Sequence, residues 1–575
     1  MAEYLTPGVY VEEFDSGAPP MASISTSIVG FIGVTEKGPQ SGVPVFIDSF
    51  ASFFRIFGGY LSENEFGAYR YLPYAVNQFF VNGGSKCYVK RVVPSNAKYA
   101  CNTEDTENAP FVVYAANPGV WGNKIAVRVT PSSKARTNAL EKIDAADGNH
   151  KYRVKSAAGF LPGDIVAASG ESAPQYNKVT AVDENVLTFA EAFTEDIVDS
   201  AVVPKRLLST CEIDLEVRYD IQTETFETCS FNPDSPHFLC DKLAKSELIL
   251  CEVKAGSEIL PPYQLISGKE DGEFSFGLFG GFNGTKDVLS SNDFIGEDKG
   301  PGQRTGIQAF IDNNEVSLMT APGMTDPAIS LALIAHCENT GSRFAVLDMP
   351  RDLKSVTEIV DYRNIFDSQY AAMYHPWVKV FDPLTSNAIA IPPSGSAVGI
   401  YARTDNTRGV HKAPANEIVS ACVGLDCNYT NGEQDILNPK GVNLIRSFPG
   451  RGIRVWGART LSSNSLWRYI NVRRLFIFVE ETIRASTNWV VFEPNDAFLW
   501  LRVKQSLESF LTDVWRGGAL MGATASEAFF VDIGPTTMTQ SDIDNGRLIC
   551  VIGIAPVKPA EFVIFRITQK TGNAQ

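Results

Sequence analysis

Histidine is almost missing from this 575-residue chain: there are five, His150, His237, His336, His375 and His411, none within five residues of another. That spacing excludes the helical His-Glu-x-x-His pair of catalytic zinc sites. Cysteine is also thin, with ten residues scattered from Cys87 to Cys550. None forms the close pair of a zinc knuckle or a thioredoxin-like motif. The nearest two, Cys422 and Cys427, have four residues between them and no histidine at hand. All ten read as reduced, mostly buried apolar side chains. No Gly-x-Ser-x-Gly elbow presents a nucleophile. No apolar run approaches the roughly 18 uncharged residues of a membrane-spanning helix. The opening Met-Ala-Glu-Tyr-Leu-Thr-Pro lacks the basic-then-apolar order of a secretory signal, so folding in cytoplasm without membrane insertion is expected. Basic side chains are outnumbered 50 to 66, a net charge of −16, which argues against nucleic acid as the main partner.

Two glycine-rich segments imitate ligand loops and fail on spacing. Gly280 to Lys286 ends Gly-Thr-Lys, where a phosphate loop needs Gly-Lys-Ser/Thr so that the lysine reaches the phosphates. Gly300 to Gly306 misses the dinucleotide spacing by one residue and follows no clear strand. Both read as turns or linkers. Asn283 and Asn428 begin glycosylation sequons that carry little weight without a secretory route. No catalytic, cofactor or metal site emerges.

What is present is an ordinary globular composition, 44% apolar and 20% charged, with aromatics at 11% spread along the chain. The length suggests three or four folding units. Residues 1–20 read as an extended arm, with Val9, Tyr10, Val11, Glu12 and Glu13 in a strand pattern between Pro7-Gly8 and Pro19-Pro20. Residues 21–104 follow with a buried strand at Ser27–Val34, helices at Phe50–Phe57 and about Gly67–Val81, and a strand at Lys86–Val93. From 105 to 265 the pattern turns to short strands. Ile125–Val129 and Ile213–Tyr219 alternate with period two, and residues 138–208 between them read as a small nested β-unit. Residues 315–380 alternate strand and helix, which favours a parallel or mixed sheet covered by helices. Two long helices are expected at about Leu466–Thr487 and Pro494–Arg516, the second with Phe498, Leu501, Phe510, Leu511 and Val514 toward the core. A strand at Arg547–Ile554 closes a body spanning 266–555.

Both ends carry strand patterns. An edge strand as apolar as Phe562, Val563, Ile564, Phe565, Arg566 and Ile567 would invite aggregation if left alone. The ends either pair within their own subunit or add to sheets of neighbouring copies. Residues 1–17 hold four acids and no base, whereas 556–575 hold three bases against one acid. A twenty-residue arm reaches about 66 Å when extended. A second asymmetry lies in residues 440–516, with twelve Lys/Arg against six Asp/Glu. This reads either as a solvated face with local ion pairs or as a surface for an acidic partner.

Three regions together resemble the contractile tail sheath proteins of bacteriophages and related injection systems. They are Pro7-Gly8-Val9-Tyr10-Val11-Glu12-Glu13; Asn82 to Val92 with the later Trp121-Gly122-Asn123; and the C-terminal third. That third carries Gly452-Ile453-Arg454-Val455-Trp456-Gly457-Ala458-Arg459-Thr460, Tyr469 to Arg474, Asp544-Asn545-Gly546-Arg547 and Pro556 to Phe562. The resemblance implies an α/β (mixed α+β) fold: a sheath core of mixed sheet and helices built from N- and C-terminal parts, nested β-rich insertions, and terminal strand arms. It implies a structural subunit without catalysis or cofactor, in stacked hexameric rings around an inner tail tube, with baseplate and terminator or cap proteins as further partners. No nucleic-acid partner is implied. The sheath would be assembled in the bacterial cytoplasm into a virion tail or tail-like particle, and would contract to drive the tube through a cell envelope. On this reading residues 1–17 and 556–575 link subunits, and Arg473, Arg474 and Arg484 face the tube. Competing expectations are a non-contractile tubular shell and an α/β enzyme with Asp348 at a strand end.

Overall fold

The computed structural model describes residues 21–144, 150–170, 173–198, 206–254, 259–562 and 564. At its centre lies a nine-stranded mixed sheet. Its spatial order is Val45–Ile47, Cys87–Arg91, Val29–Gly33, Leu318–Thr320, Phe344–Asp348, Ala371–His375, Val442–Phe448, Gly452–Val455 and Glu417–Ile418. The strands from Cys87–Arg91 through Val442–Phe448 run parallel, and the outer pairs are antiparallel. Val29 lies opposite both Cys87 and Leu318. The sheet therefore stays unfinished until the chain returns from everything between residues 92 and 317.

Successive side chains leave opposite faces, and both faces are buried. Val29, Phe31, Val89, Phe344, Val346 and Tyr374 face one core, which the helices Leu72–Val81 and Ser394–Arg408 cover. Ile32, Met319, Ala345, Leu347, Met373 and Leu444 face the other, beneath Pro327–Thr340 and Val356–Arg363. Helices Leu72–Val81 and Ser394–Arg408 meet at their backbones. A Cβ on Gly395 would stand 2.4 Å from the Ala75 carbonyl, and one on Gly399 2.6 Å from that of Phe79. Glycine at these two positions permits the approach.

The intervening chain builds two further β-units. Gln222–Cys229, Glu212–Tyr219, Ala126–Ser132 and Phe274–Gly277 form an antiparallel sheet, with Leu215 opposite Val129. Six strands between Arg136 and Thr210 close into a barrel packed on Tyr152, Phe160, Val166, Leu187 and Phe189. Where chain enters and leaves the barrel, the Lys134 ammonium is buried between Asp164 and Glu212. Trp121 lies in the core of the four-stranded unit, and Asn123 exchanges hydrogen bonds with the Gly281 backbone. Gly281 belongs to the false phosphate loop, which is thus part of a structural turn.

Several expectations need correction. The stretch from Tyr370 to Val380 is two strands, Ala371–His375 and Val378–Asp382, in different sheets. Pro376, without an amide hydrogen, separates them. The long helix begins at Ile470, after a short 3-10 turn at Ser465–Trp467. Only Cys87, Cys229 and Cys337 are fully buried; the other seven thiols are partly exposed, and all ten are free. Among the described residues no helix is long and apolar enough to cross a membrane.

Candidate intersubunit interface

The C-terminal part departs from the closed construction of the main sheet. Asp496 caps the Ala497–Arg516 helix, accepting from the Leu499 amide at 2.9 Å. The stripe it buries is Leu499, Val503, Leu507, Phe510 and Leu511. Phe510 and Leu511 match expectation, but Phe498 and Leu501 do not: they are 79% and 55% exposed. The 3.6-residue period puts them on the far side of a helix whose seam runs through 499, 503, 507 and 511. Val491 and Phe492 are exposed nearby, so apolar surface accumulates here that no described residue covers.

Against this helix packs a two-stranded antiparallel ribbon, Phe529–Ile533 with Cys550–Ile554, in register from Phe529 opposite Ile554 to Ile533 opposite Cys550. Val531 is buried, and Phe529, Ile533, Ile552 and Ile554 pack beside it. On the other face Phe530 and Val551 are 57% and 45% exposed. The Phe530 ring covers Gly553, where any side chain would collide with it. Neither strand has a further strand partner among the described residues, so both outer edges offer amide and carbonyl groups for pairing, apart from the Phe529 amide, which donates to the Ala525 carbonyl.

The first and last described stretches of the chain lie beside this unit, each held by a buried arginine. At the N-terminal side Arg474 forks onto Asp405 at 3.0 and 2.5 Å and donates to the Thr26 carbonyl at 2.9 Å. The Thr26 hydroxyl donates to the same carboxylate at 2.6 Å. At the C-terminal side Arg459 forks onto Glu561 at 2.9 and 2.5 Å, with Asn438 donating to that carboxylate at 2.8 Å and Tyr469 at 3.3 Å. Burial disfavours the ionised form of Glu561, but these donors outweigh it and hold the pKa below the usual carboxylate value. The Val557 carbonyl accepts from Asn471, and the Val557 amide donates to the Ala519 carbonyl. Phe562 and Ile564, the two described residues after Glu561, are 74% and 78% exposed and in no strand. Val563, Phe565, Arg566 and Ile567 lie outside the described residues, as do Val9, Tyr10, Val11, Glu12 and Glu13.

The charge expectation changes with these pairs. Arg473 and Arg474 do not present charge outward; they are 3% and 4% exposed. Arg473 donates through one guanidinium nitrogen to both oxygens of Glu480, at 2.9 and 2.8 Å, and lies over Tyr370 and Trp467. Arg484 alone of the three is on the surface, paired with Glu481 one turn away. Three further arginines lie on the Val442–Val455 hairpin, Arg451 exposed and Arg446 and Arg454 half-buried. There Arg446, Arg451 and Arg454 donate to the neutral oxygens of Asn431, Gln434 and Asn416, and none has a carboxylate within 4.0 Å among the described residues. Arg451 also lies over Phe448 and Trp456.

Asp348 does end a strand, but as a cap. It accepts from the Gly323 amide at 3.0 Å, the Ser394 amide at 2.8 Å and the Ser394 hydroxyl at 2.7 Å. Burial pushes its carboxyl up to about 6. Its donors hold the start of the Ser394–Arg408 helix in place.

Residues 299–461 match the phage tail sheath protein central domain, and residues 462–570 match the phage tail sheath C-terminal domain. Residues 299–570 thus carry the central and C-terminal domains of the phage tail sheath family. Among its relatives is the putative prophage major tail sheath protein of Pseudomonas aeruginosa strain UCBPP-PA14, 29% identical over 285 residues, 48% of this chain and 71% of that one. The tail sheath protein of Escherichia phage P2 is 24% identical over 343 residues, 57% and 82% of the two chains. The sheath complex of an extracellular contractile injection system, PVC, in the contracted state shares the fold, with a TM-score of 0.52 at 22% identity over 99% of both chains. This sheath protein is thus a structural component of a phage tail or phage-tail-like particle.

Proposed function

We propose that copies of this sheath protein assemble as stacked six-fold rings around an inner tail tube, and that the sheath shortens to drive the tube through a target envelope. The observation that carries this reading is the two-edged ribbon lying beside two clamped chain exits. Each ribbon accepts one strand on each side, the Val9–Glu13 segment of one neighbour and the Phe562–Ile567 segment of another. Main-chain ladders bear load while subunits rotate as rigid bodies about the clamped exits without losing their neighbours. Energy is stored in the extended assembly, and no catalytic group or cofactor takes part.

The Arg446–Arg451–Arg454 hairpin, together with Arg484, meets acidic surface on the tube protein. The β-units between 105 and 265 project outward, and the body divides into the arm 1–20, core parts 21–104 and 266–555, and the linking strand 556–575. A baseplate and a terminal cap hold the ends of the stack, and assembly takes place in the cytoplasm of the bacterial host. Electron microscopy of the purified chain and of a variant lacking residues 1–17 tests this. The intact chain should form tubes with long-narrow and short-wide forms, and the variant should remain folded single particles. Static tubes of one width would indicate a non-contractile shell, and tubes from the truncated chain would overturn the arm model.

A further inference from the structure

Two of the ten thiols touch. Cys240 stands in the short helix Leu239–Leu243 and Cys251 in the strand Ile249–Val253, and their sulfurs are 3.2 Å apart. The scaffold around them is fixed. Leu239, Leu243, Leu248 and Ile249 are fully buried in the core of the four-stranded unit, and Cys251 lies opposite Val113 in the strand pair with Phe111–Ala115. Both cysteines are partly exposed, so a small oxidant reaches them. About 1 Å of side-chain movement brings the sulfurs to the ~2.05 Å of a bond.

We propose that Cys240 and Cys251 are a redox-closed clasp, forming a disulfide when the protein meets a hydroperoxide. The Cys251 thiol donates to the Cys240 sulfur, which draws the Cys240 thiol down to about 7 against burial and the nearby Asp241 and Glu252. The same contact, and after it burial, push Cys251 up, with Cys229 and Glu252 adding to the shift. Cys240 is therefore the attacking sulfur. Its thiolate attacks one peroxide oxygen, the O–O bond breaks, and a sulfenic acid forms while the departing oxygen leaves as water or an alcohol after taking a proton. The Cys251 sulfur then attacks the Cys240 sulfur, the S–O bond breaks, and the released hydroxide takes the Cys251 proton as water. Two thiols are oxidised and one peroxide is reduced. Elsewhere the setting differs: Cys87 and Cys337 are fully buried, and burial raises their pKa. The clasp would stay open in a reducing cytoplasm and close outside it, bracing the inserted unit after assembly.

The test is to treat the intact protein with dilute hydrogen peroxide, alkylate the remaining thiols, digest with trypsin and read the peptides by mass spectrometry. The expected product links Tyr219–Lys242 to Ser246–Lys254 and is released by reductant. Because the first peptide also contains Cys229, the link should persist in Cys229→Ser and vanish in Cys240→Ser and in Cys251→Ser. In the unaltered protein, Cys240 and Cys251 should lose alkylation together, several-fold before the other thiols. A link that survives Cys240→Ser would overturn the proposal. So would wild-type Cys240 passing to sulfinic acid while Cys251 remains open to alkylation.

Discussion

The main sheet and the C-terminal ribbon solve the same problem in opposite ways. In the sheet, strands such as Val29–Gly33 and Phe344–Asp348 are hydrogen-bonded on both sides and buried on both faces. The ribbon has two strands, one covered face and two open edges, with Phe530 and Val551 in solvent. A two-stranded ribbon is marginal by itself; this one is tolerated because Val531 and its neighbours rest on the Ala497–Arg516 helix. The contrast teaches where the subunit ends as a folding unit and where it begins as part of an assembly.

Four predictions probe that division. Arg474→Ala strikes the side that should be self-sufficient: it leaves Asp405 buried and paired only with Thr26. The expected loss is about 3–5 kcal/mol in urea unfolding of the monomer; a loss below about 1 kcal/mol would mean that the N-terminal exit is not clamped. Acidification should also act on the sheet. His336 and His375 are buried and their pKa values are lowered from 6.5 to about 4, chiefly by desolvation. They fold neutral, so their contribution is complete above pH 6.5 and is lost as pH falls toward 4. The unfolding free energy should drop by up to about 3 kcal/mol for each histidine over that window. Glu561 behaves later: its depressed pKa keeps the C-terminal clamp intact above 4.5 and loses it only below.

Smaller effects should appear nearer the ribbon. Glu561→Gln weakens two charge-assisted bonds from Arg459, worth about 1–2 kcal/mol locally. Hydrogen exchange should quicken across 555–561 while the sheet strands keep their protection. Phe530→Asp should change monomer stability by no more than about 0.5 kcal/mol, yet reduce tube yield in electron micrographs. A large stability loss without an assembly defect would assign Phe530 to the subunit's own core.

Much of the sheet is legible in sequence because local signals and burial agree. Ser49 before Phe50–Phe57 and Asp326-Pro327 before the Pro327–Thr340 helix are caps with visible chemistry. The run Phe344–Asp348 is apolar along its whole length, as a strand buried on both faces must be. The interface was harder to see. Phe529-Phe530-Val531, with Ile533 after Asp532, is a β-favouring stretch following Thr524 and Ser526 that could have revealed the ribbon's first strand, but its partner lies beyond an intervening turn and short helix. Arg473 and Arg474 read as surface charge because sequence does not show that Asp405 and Glu480 fold against them. Phe498 and Leu501 read as core because period alone does not say which of two apolar faces meets the body.

A density map of the assembled sheath, read at the Phe529–Ile533/Cys550–Ile554 ribbon, tests the central claim most directly. The account predicts a four-stranded sheet whose outer strands trace to residues 9–13 and 562–567 of two different neighbours. A ribbon still two-stranded in the assembly, or outer strands tracing back to its own chain, would contradict it.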